Sequence, residues 1–418
     1  MATAAPDERA ASAALPSGPA HVAVVSFLAA RAAPSGGFWI ALAGGVALAR
    51  VAERRGARLG FGASIAAMLE TVAIIGPARI GIPLTQAATA PMLGRLEARG
   101  WAVPAQVLAC AALRLLHNTA TTAFFIWVIA GGLDAYAGTY DAIGRRLGLE
   151  IATADALALT AAGLLGWAAF ASTVQVLVYR RGLRRWDGVE RDAICVDGDS
   201  GRKSGEREQA ARDRERRFDP RAVALAAAVA FALLLASTSW PLLAAVAAWL
   251  ALAWGAARPD SEPLPTGLVF AAILAGGALL FALGGGLGLD TALRRASRAA
   301  LLVLVATWLR GAAGAKGLRE VSRRALGRLR RLPAIPEAAL VLDRIASEGR
   351  LVAAGRALAD QLSGVRKRPI PFVDAVLGWV VAESRTPGPA PSPTQAALRF
   401  RAADLMLAAL AAAPALAL

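Results

Sequence analysis

Apolar runs of near-spanning length alternate along this chain with short polar breaks, and that alternation predicts a bundle of membrane helices. Phe38 to Ala52 is apolar and closes on Arg50, Arg54, Arg55 and Arg58, which places this end on the cytoplasmic side by the positive-inside rule. His21 to Ala33, too short to span alone, is a further segment or a re-entrant piece. Gly62 to Gly76 is apolar around a central Glu70. Pro77, Gly81, Pro83 and Pro91 then predict irregular or interfacial backbone over Pro77 to Gly94, buried in protein or lining a cavity. Ala102 to Leu133 is long enough for one tilted helix or two short ones, with a break expected at Arg114, His117 and Asn118. Leu157 to Val178 is a clean span with Gln175 near its end, and it runs into Arg180, Arg181, Arg184 and Arg185.

Trp186 to Arg217 is long, hydrophilic and dense in charges of both signs, so it divides the chain into two membrane halves. Beyond it, Val223 to Ser237, Leu242 to Ala257, Leu268 to Leu283 and Ala299 to Leu309 are four crossings that return the chain to the cytoplasmic side at Arg310 and Lys316. Arg294, Arg295 and Arg298 fall on the opposite side in this count, where they are expected to snorkel or to pair at a helix end. Ala402 to Leu418, apolar apart from Asp404, is marginal as a span.

Ala315 to Leu332 differs in kind. Leu318, Val321, Ala325, Leu329 and Leu332 recur at helical steps while Arg319, Arg323, Arg324, Arg328, Arg330 and Arg331 occupy the remaining positions, which makes a basic amphipathic helix. Pro333 and Pro336 stop it and start another. The expected fold is therefore an all-α, polytopic helical membrane protein of two halves, with about eight to ten membrane segments and amphipathic helices in the cytoplasm. Its divisions are a disordered tail (1–19), an N-terminal module (20–186), a charged linker (187–215), a second membrane module with its cytoplasmic helices (216–386), a Pro-rich linker (387–395) and a C-terminal apolar helix (396–418).

Composition narrows the class. Of 418 residues 56% are hydrophobic and 18% charged, with a mean hydropathy of +0.50, too apolar for a soluble protein of this length. Lys and Arg outnumber Asp and Glu by 46 to 30, but the basic residues sit in blocks between apolar runs and are not interleaved with aromatics, so membrane topology explains them and nucleic-acid binding does not. Two cysteines and two histidines give no disulfide framework and no multi-histidine metal site, and no cofactor is expected. Gly198 to Ser204 resembles a phosphate loop only in composition, and Asp197, Asp199 and Glu208 match a calcium loop that lacks its sixth-position glycine.

Burying an ionisable group in a bilayer costs about 2.5–3.5 kcal/mol on insertion scales, so polar residues inside apolar runs mark cavities or partners. Glu70, Arg114, His117, Asn118 and Gln175 are such residues. They form either a pocket for a substrate or ion, or an internal Glu70 to Arg114 pair with interhelical hydrogen bonds around it.

Arg217-Phe218-Asp219-Pro220-Arg221 before the first crossing of the second half, and the basic helix running into Arg-Arg-Leu-Pro-Ala-Ile-Pro-Glu at 330–337, resemble the transmembrane T component of energy-coupling factor transporters over about Arg216 to Arg385. The resemblance implies a non-enzymatic scaffold with two coupling helices, each ending in an arginine that enters a groove on a cytoplasmic ATPase subunit, beside a substrate-binding membrane subunit. Arg385 in Glu383-Ser384-Arg385-Thr386 matches the second arginine; Arg356 is the better match for the first and Arg350 the rival. Neither copy has the usual Ala-Arg-Gly form. A different class of reading is an integral membrane enzyme or lipid-handling protein with its site in the first half, and a third is a structural membrane subunit.

Overall fold

Alanine and leucine, strong helix formers, fill the apolar runs, and the described residues form helices with no strand among them. The computed structural model describes residues 17–32, 37–77, 81–192, 218–257, 259, 263–345, 351, 354–355, 358, 369–385 and 401–417. Residues 1–16 of the expected tail, nearly all of the charged linker with its phosphate-loop-like and calcium-loop-like stretches, the Pro-rich linker, Arg350 and Arg356 lie outside the described residues.

In the first half the helices are α1 (Ser17–Ala32), α2 (Gly37–Arg55), α3 (Ala57–Ile75), α4 (Gly81–Ala98), α5 (Val103–Phe124), α6 (Leu133–Arg146) and α7 (Thr153–Asp192). In the second half they are α8 (Pro220–Ala236), α9 (Trp240–Ala257), α10 (Pro263–Gly284), α11 (Leu289–Arg328), α12 (Ile335–Leu342), α13 (Pro369–Arg385) and α14 (Ala402–Ala412). Among the described residues five helices are long and apolar enough to cross a membrane, and six if α5 and α6 are taken together as one broken span bent by 86°. The helices α1, α8, α13 and α14 are apolar but shorter, and α2, which holds the segment read over Phe38 to Ala52, is not among the helices long and apolar enough to cross. The chain is thus an all-α polytopic helical protein.

Two large apolar cores hold it together, and they cut across the two halves. The first joins α1 to α4 with the inner faces of α5 and α7, and also takes in Leu326, Ala338, Val341, Leu342 and Ile345 and the inner face of α13. The second is built from α8, α9, α11 and α14, and includes Ala73 of α3. The helices that follow the last crossing are therefore packed against the first half: α12 lies on α3, and α13 on α1.

Two local features depart from the sequence expectations, and a third agrees with them. The stretch expected to be irregular, Pro77 to Gly94, is mostly the helix α4, with Pro91 in its interior. Pro91 has no N–H to give to the carbonyl of Ala87 one turn back, and that carbonyl instead accepts the Ser64 hydroxyl of α3. No break occurs at Arg114, His117 and Asn118: α5 continues as a π-helix over Phe125–Ala130 and turns only at Gly131 and Gly132. Finally, the basic segment is a helix of its own, as expected. The backbone of α11 leaves helical geometry at Gly314, with φ 63° and ψ 168°, and this break separates the apolar part from the basic part; that φ is open to glycine and strained for other residues. Leu318 and Leu326 are its buried contacts, while Leu329 and Leu332 lie beyond its end at Arg328 and are exposed. As expected, Pro336 sits in the first turn of the next helix.

Candidate functional site

Along α5 the polar residues Gln106, Cys110, Arg114 and Asn118 recur every four positions, which lines them up on one face of an otherwise apolar helix. Gln106, Cys110 and Arg114 are buried on that face, packed toward α4 and α7. Ser172, Gln175 and Tyr179 answer from α7, and Gln86 and Thr89 from α4; all five are buried. This triple-helix seam is the candidate site.

Its hydrogen bonds centre on Gln175. The Arg114 guanidinium donates through Nη2 to Gln175 Oε1 at 2.5 Å, and the Cys110 thiol donates weakly to the same oxygen at 3.4 Å. The Gln175 amide nitrogen donates to Thr89 Oγ1 at 2.6 Å, and the Thr89 hydroxyl in turn donates to the Thr85 carbonyl at 2.7 Å. One turn further along α7 the Tyr179 hydroxyl donates to Gln86 Oε1 at 2.9 Å. Arg114 is 4% exposed and meets no carboxylate among the described residues. Its Nε, the amide nitrogen of Gln86 and the hydroxyl of Ser172 have no hydrogen-bond partner there. A buried polar atom left unmet costs about 1–3 kcal/mol, so the seam holds unspent donors beside a fixed positive charge. Chemically, it can accept a small group with oxygen acceptors.

The seam is closed at one end by charge. Glu97 pairs with Arg180 at 3.1 Å and accepts from the Gln106 amide at 2.6 Å. Asn118 extends the stripe at its other end, with a buried amide nitrogen that has no partner among the described residues. His117 lies off the stripe and is half-buried.

Of the five residues singled out in the sequence, the fold brings Arg114 and Gln175 together. Glu70 is elsewhere, and the Glu70 to Arg114 pair does not form. Glu70, 1% exposed, takes both oxygens to Arg319 beyond the kink of α11, with Arg319 Nε at 2.6 Å from Oε2 and Nη2 bonded to Oε1. Arg310, just before the kink, donates through Nε to the carbonyl of Ile74 at 2.6 Å, meeting a free carbonyl at the C-terminal end of α3. Two arginines of α11 thus grip one helix of the first half. Sequence reasoning missed Cys110, Gln86, Thr89, Ser172 and Tyr179; the four-residue spacing of Gln106, Cys110, Arg114 and Asn118 was the available signal.

The motifs behind the family resemblance have local structural roles. Asp219 caps α8: its carboxylate accepts the Arg221 backbone N–H at 2.8 Å and the Arg221 guanidinium at 2.7 and 3.0 Å, with Pro220 in the first turn. Burial pushes the Asp219 carboxyl up, but the hydrogen bonds and charge of Arg221 outweigh it and hold the group below the usual carboxylate range. Its own backbone N–H goes to the buried Asp404 of α14 at 2.7 Å, so the last helix is tied to the entry of α8. Glu383 lies 2.9 Å from His21 Nε2 of α1, and the backbone of Ser384 packs directly on Gly18. Arg385 is the last residue of α13.

No family model matches the chain, and neither a characterised protein nor a solved structure matches it.

Proposed function

We propose that this chain is a non-enzymatic, multi-pass inner-membrane component of a transporter, which couples separate cytoplasmic ATPase subunits to uptake of a small solute. The observation that carries the reading is the Arg114 seam: a buried guanidinium between membrane helices, held by an amide and not by an acid, with donors beside it left unmet. Intramembrane charge of this kind marks solute pathways more often than it serves stability. A fixed positive charge repels metal cations, so the solute that fits is a small molecule carrying a carboxylate or another oxygen acceptor. Contiguous contacts support the coupling half of the proposal. The cytoplasmic end of α11 holds α3 through Arg310 and Arg319, α3 meets α4 through Ser64, and α4 supplies Thr89 and Gln86 to the seam.

The test is affinity purification of the intact chain from its native membranes. Recovery of an ATPase pair is expected, reduced by Arg356→Glu and Arg385→Glu while membrane insertion is kept. Unchanged recovery in both variants, or no ATPase at all, sinks the coupling role. For the solute, Arg114→Gln is expected to abolish uptake without loss of the assembled complex, and uptake at the wild-type rate overturns the seam as its path.

A further inference from the structure

The three arginines that broke the expected charge pattern converge on one cleft. The connection between α8 and α9, the start of α11 and the turn at Gly131 all lie at the same end of the bundle, the end opposite the basic clusters. Between them Trp127, Gly131, Thr238, Thr291, Arg294, Arg295 and Arg298 line a cleft of about 250 Å³. Arg294, Arg295 and Arg298 lie one, and then three, positions apart on α11, so all fall within little more than one turn.

Each arginine is held differently. Arg294 pairs with Asp290 one turn back, and Asp290 also accepts the Trp240 indole N–H at 2.7 Å. Arg295 donates to the carbonyl of Ala130 at the end of the π-helix, and its guanidinium fills the space where Gly131 has no side chain. Arg298 is 6% exposed, lines the cleft, and its Nε has no hydrogen-bond partner among the described residues; Arg294 Nε has none either. Asp290 offsets one of the three positive charges, which leaves two facing a space that also carries the hydroxyl-bearing residues Thr238 and Thr291.

We infer that this cleft is an oxyanion-binding site, built for a phosphate-type group. Two uncompensated guanidinium groups with free N–H donors and threonines beside them are the chemistry that recognises a phosphate. The volume sets the size of the guest, because pockets for drug-sized molecules run to roughly 300–1,000 Å³. A single phosphate or phosphodiester group fits this space. Trp127 is 62% exposed at the mouth and Trp240 is 41% exposed nearby, as tryptophans are where a bilayer meets water. The phosphate-type group can therefore belong to a lipid headgroup or be free in solution, and the site is independent of the Arg114 seam.

The experiment uses the full-length protein and Arg298→Gln, with Arg184→Gln at the other end of the bundle as the control. Native mass spectrometry counts phosphatidylglycerol retained after purification from nanodiscs of phosphatidylcholine with or without phosphatidylglycerol. In parallel, thermal unfolding in detergent is followed as inorganic phosphate is added. A bound phosphatidylglycerol lost at least about tenfold in Arg298→Gln and kept in Arg184→Gln assigns the site to lipid. A phosphate-dependent rise in melting temperature abolished in Arg298→Gln assigns it to the free ion. Absence of both effects in the wild type, or equal effects in all three proteins, overturns the proposal. Should Arg298→Gln not fold, Arg294→Gln, at the more open edge of the cleft, carries the same comparison.

Discussion

The Nε of neither Arg114 nor Arg298 has a partner among the described residues, but Arg114 donates through Nη2 to Gln175 among side chains of three helices, whereas Arg298 lines an open cleft. Both arginines sit on helices of the bundle, and both are more than nine-tenths buried. The difference lies in what surrounds them. Around Arg114 the sequence supplies amides and hydroxyls at helical spacing from α4, α5 and α7, so one edge of the guanidinium is held by Gln175 while its Nε and neighbouring donors stay unmet. Around Arg298 the neighbours are two further arginines, and like charges gathered at a cleft are held best when an anion joins them. Buried charge alone does not define a site; the kind of partner left for it does.

That contrast can be broken by substitution, with stability in detergent micelles as the readout. Gln175→Leu removes the acceptor for Arg114 and the donor to Thr89 together, and should destabilise the bundle by about 3 kcal/mol. A loss below about 1 kcal/mol would mean that Gln175 does not hold Arg114 in place. Gly131→Ala is expected to cost about 2 kcal/mol, because residue 131 has a φ of 83° and an added methyl meets the Arg295 guanidinium. Away from both regions, Asp219→Ala calibrates the scale, since loss of a helix cap costs about 1 kcal/mol. Its effect has a pH sign. With a folded pKa held below the unfolded one, the contribution of Asp219 is present at neutral pH and disappears as pH falls through the folded value, so wild type and variant should converge in acid. Smallest of all, Arg298→Gln in phosphate-free detergent should leave stability unchanged or raise it by less than about 1 kcal/mol, since it relieves repulsion from Arg295. A loss above about 2 kcal/mol would place Arg298 in the same category as Arg114.

Much of the fold was legible because apolar runs report helices directly. Gly314, where an apolar helix ends and the basic one begins, was legible as the boundary between two patterns of apolar and charged positions. The partner of Glu70 was out of reach: Arg319 is 249 residues away, and ion pairing over that separation depends on how α11 crosses α3. The candidate seam was half visible. Arg114 and Gln175 are conspicuous in apolar runs, whereas Thr89, Ser172 and Tyr179 are common enough in membrane helices to carry no signal until three helices meet. The cleft arginines were visible as a violation of charge sidedness, but the space between them is a property of the packing alone.

The hydroxyl of Ser64 on the carbonyl of Ala87 has a consequence for how the helices are built. Taken alone, α4 would carry a bare carbonyl one turn before Pro91, so its backbone is complete only when α3 lies beside it. The proline in one helix thus makes the serine of its neighbour part of its own hydrogen-bond ladder.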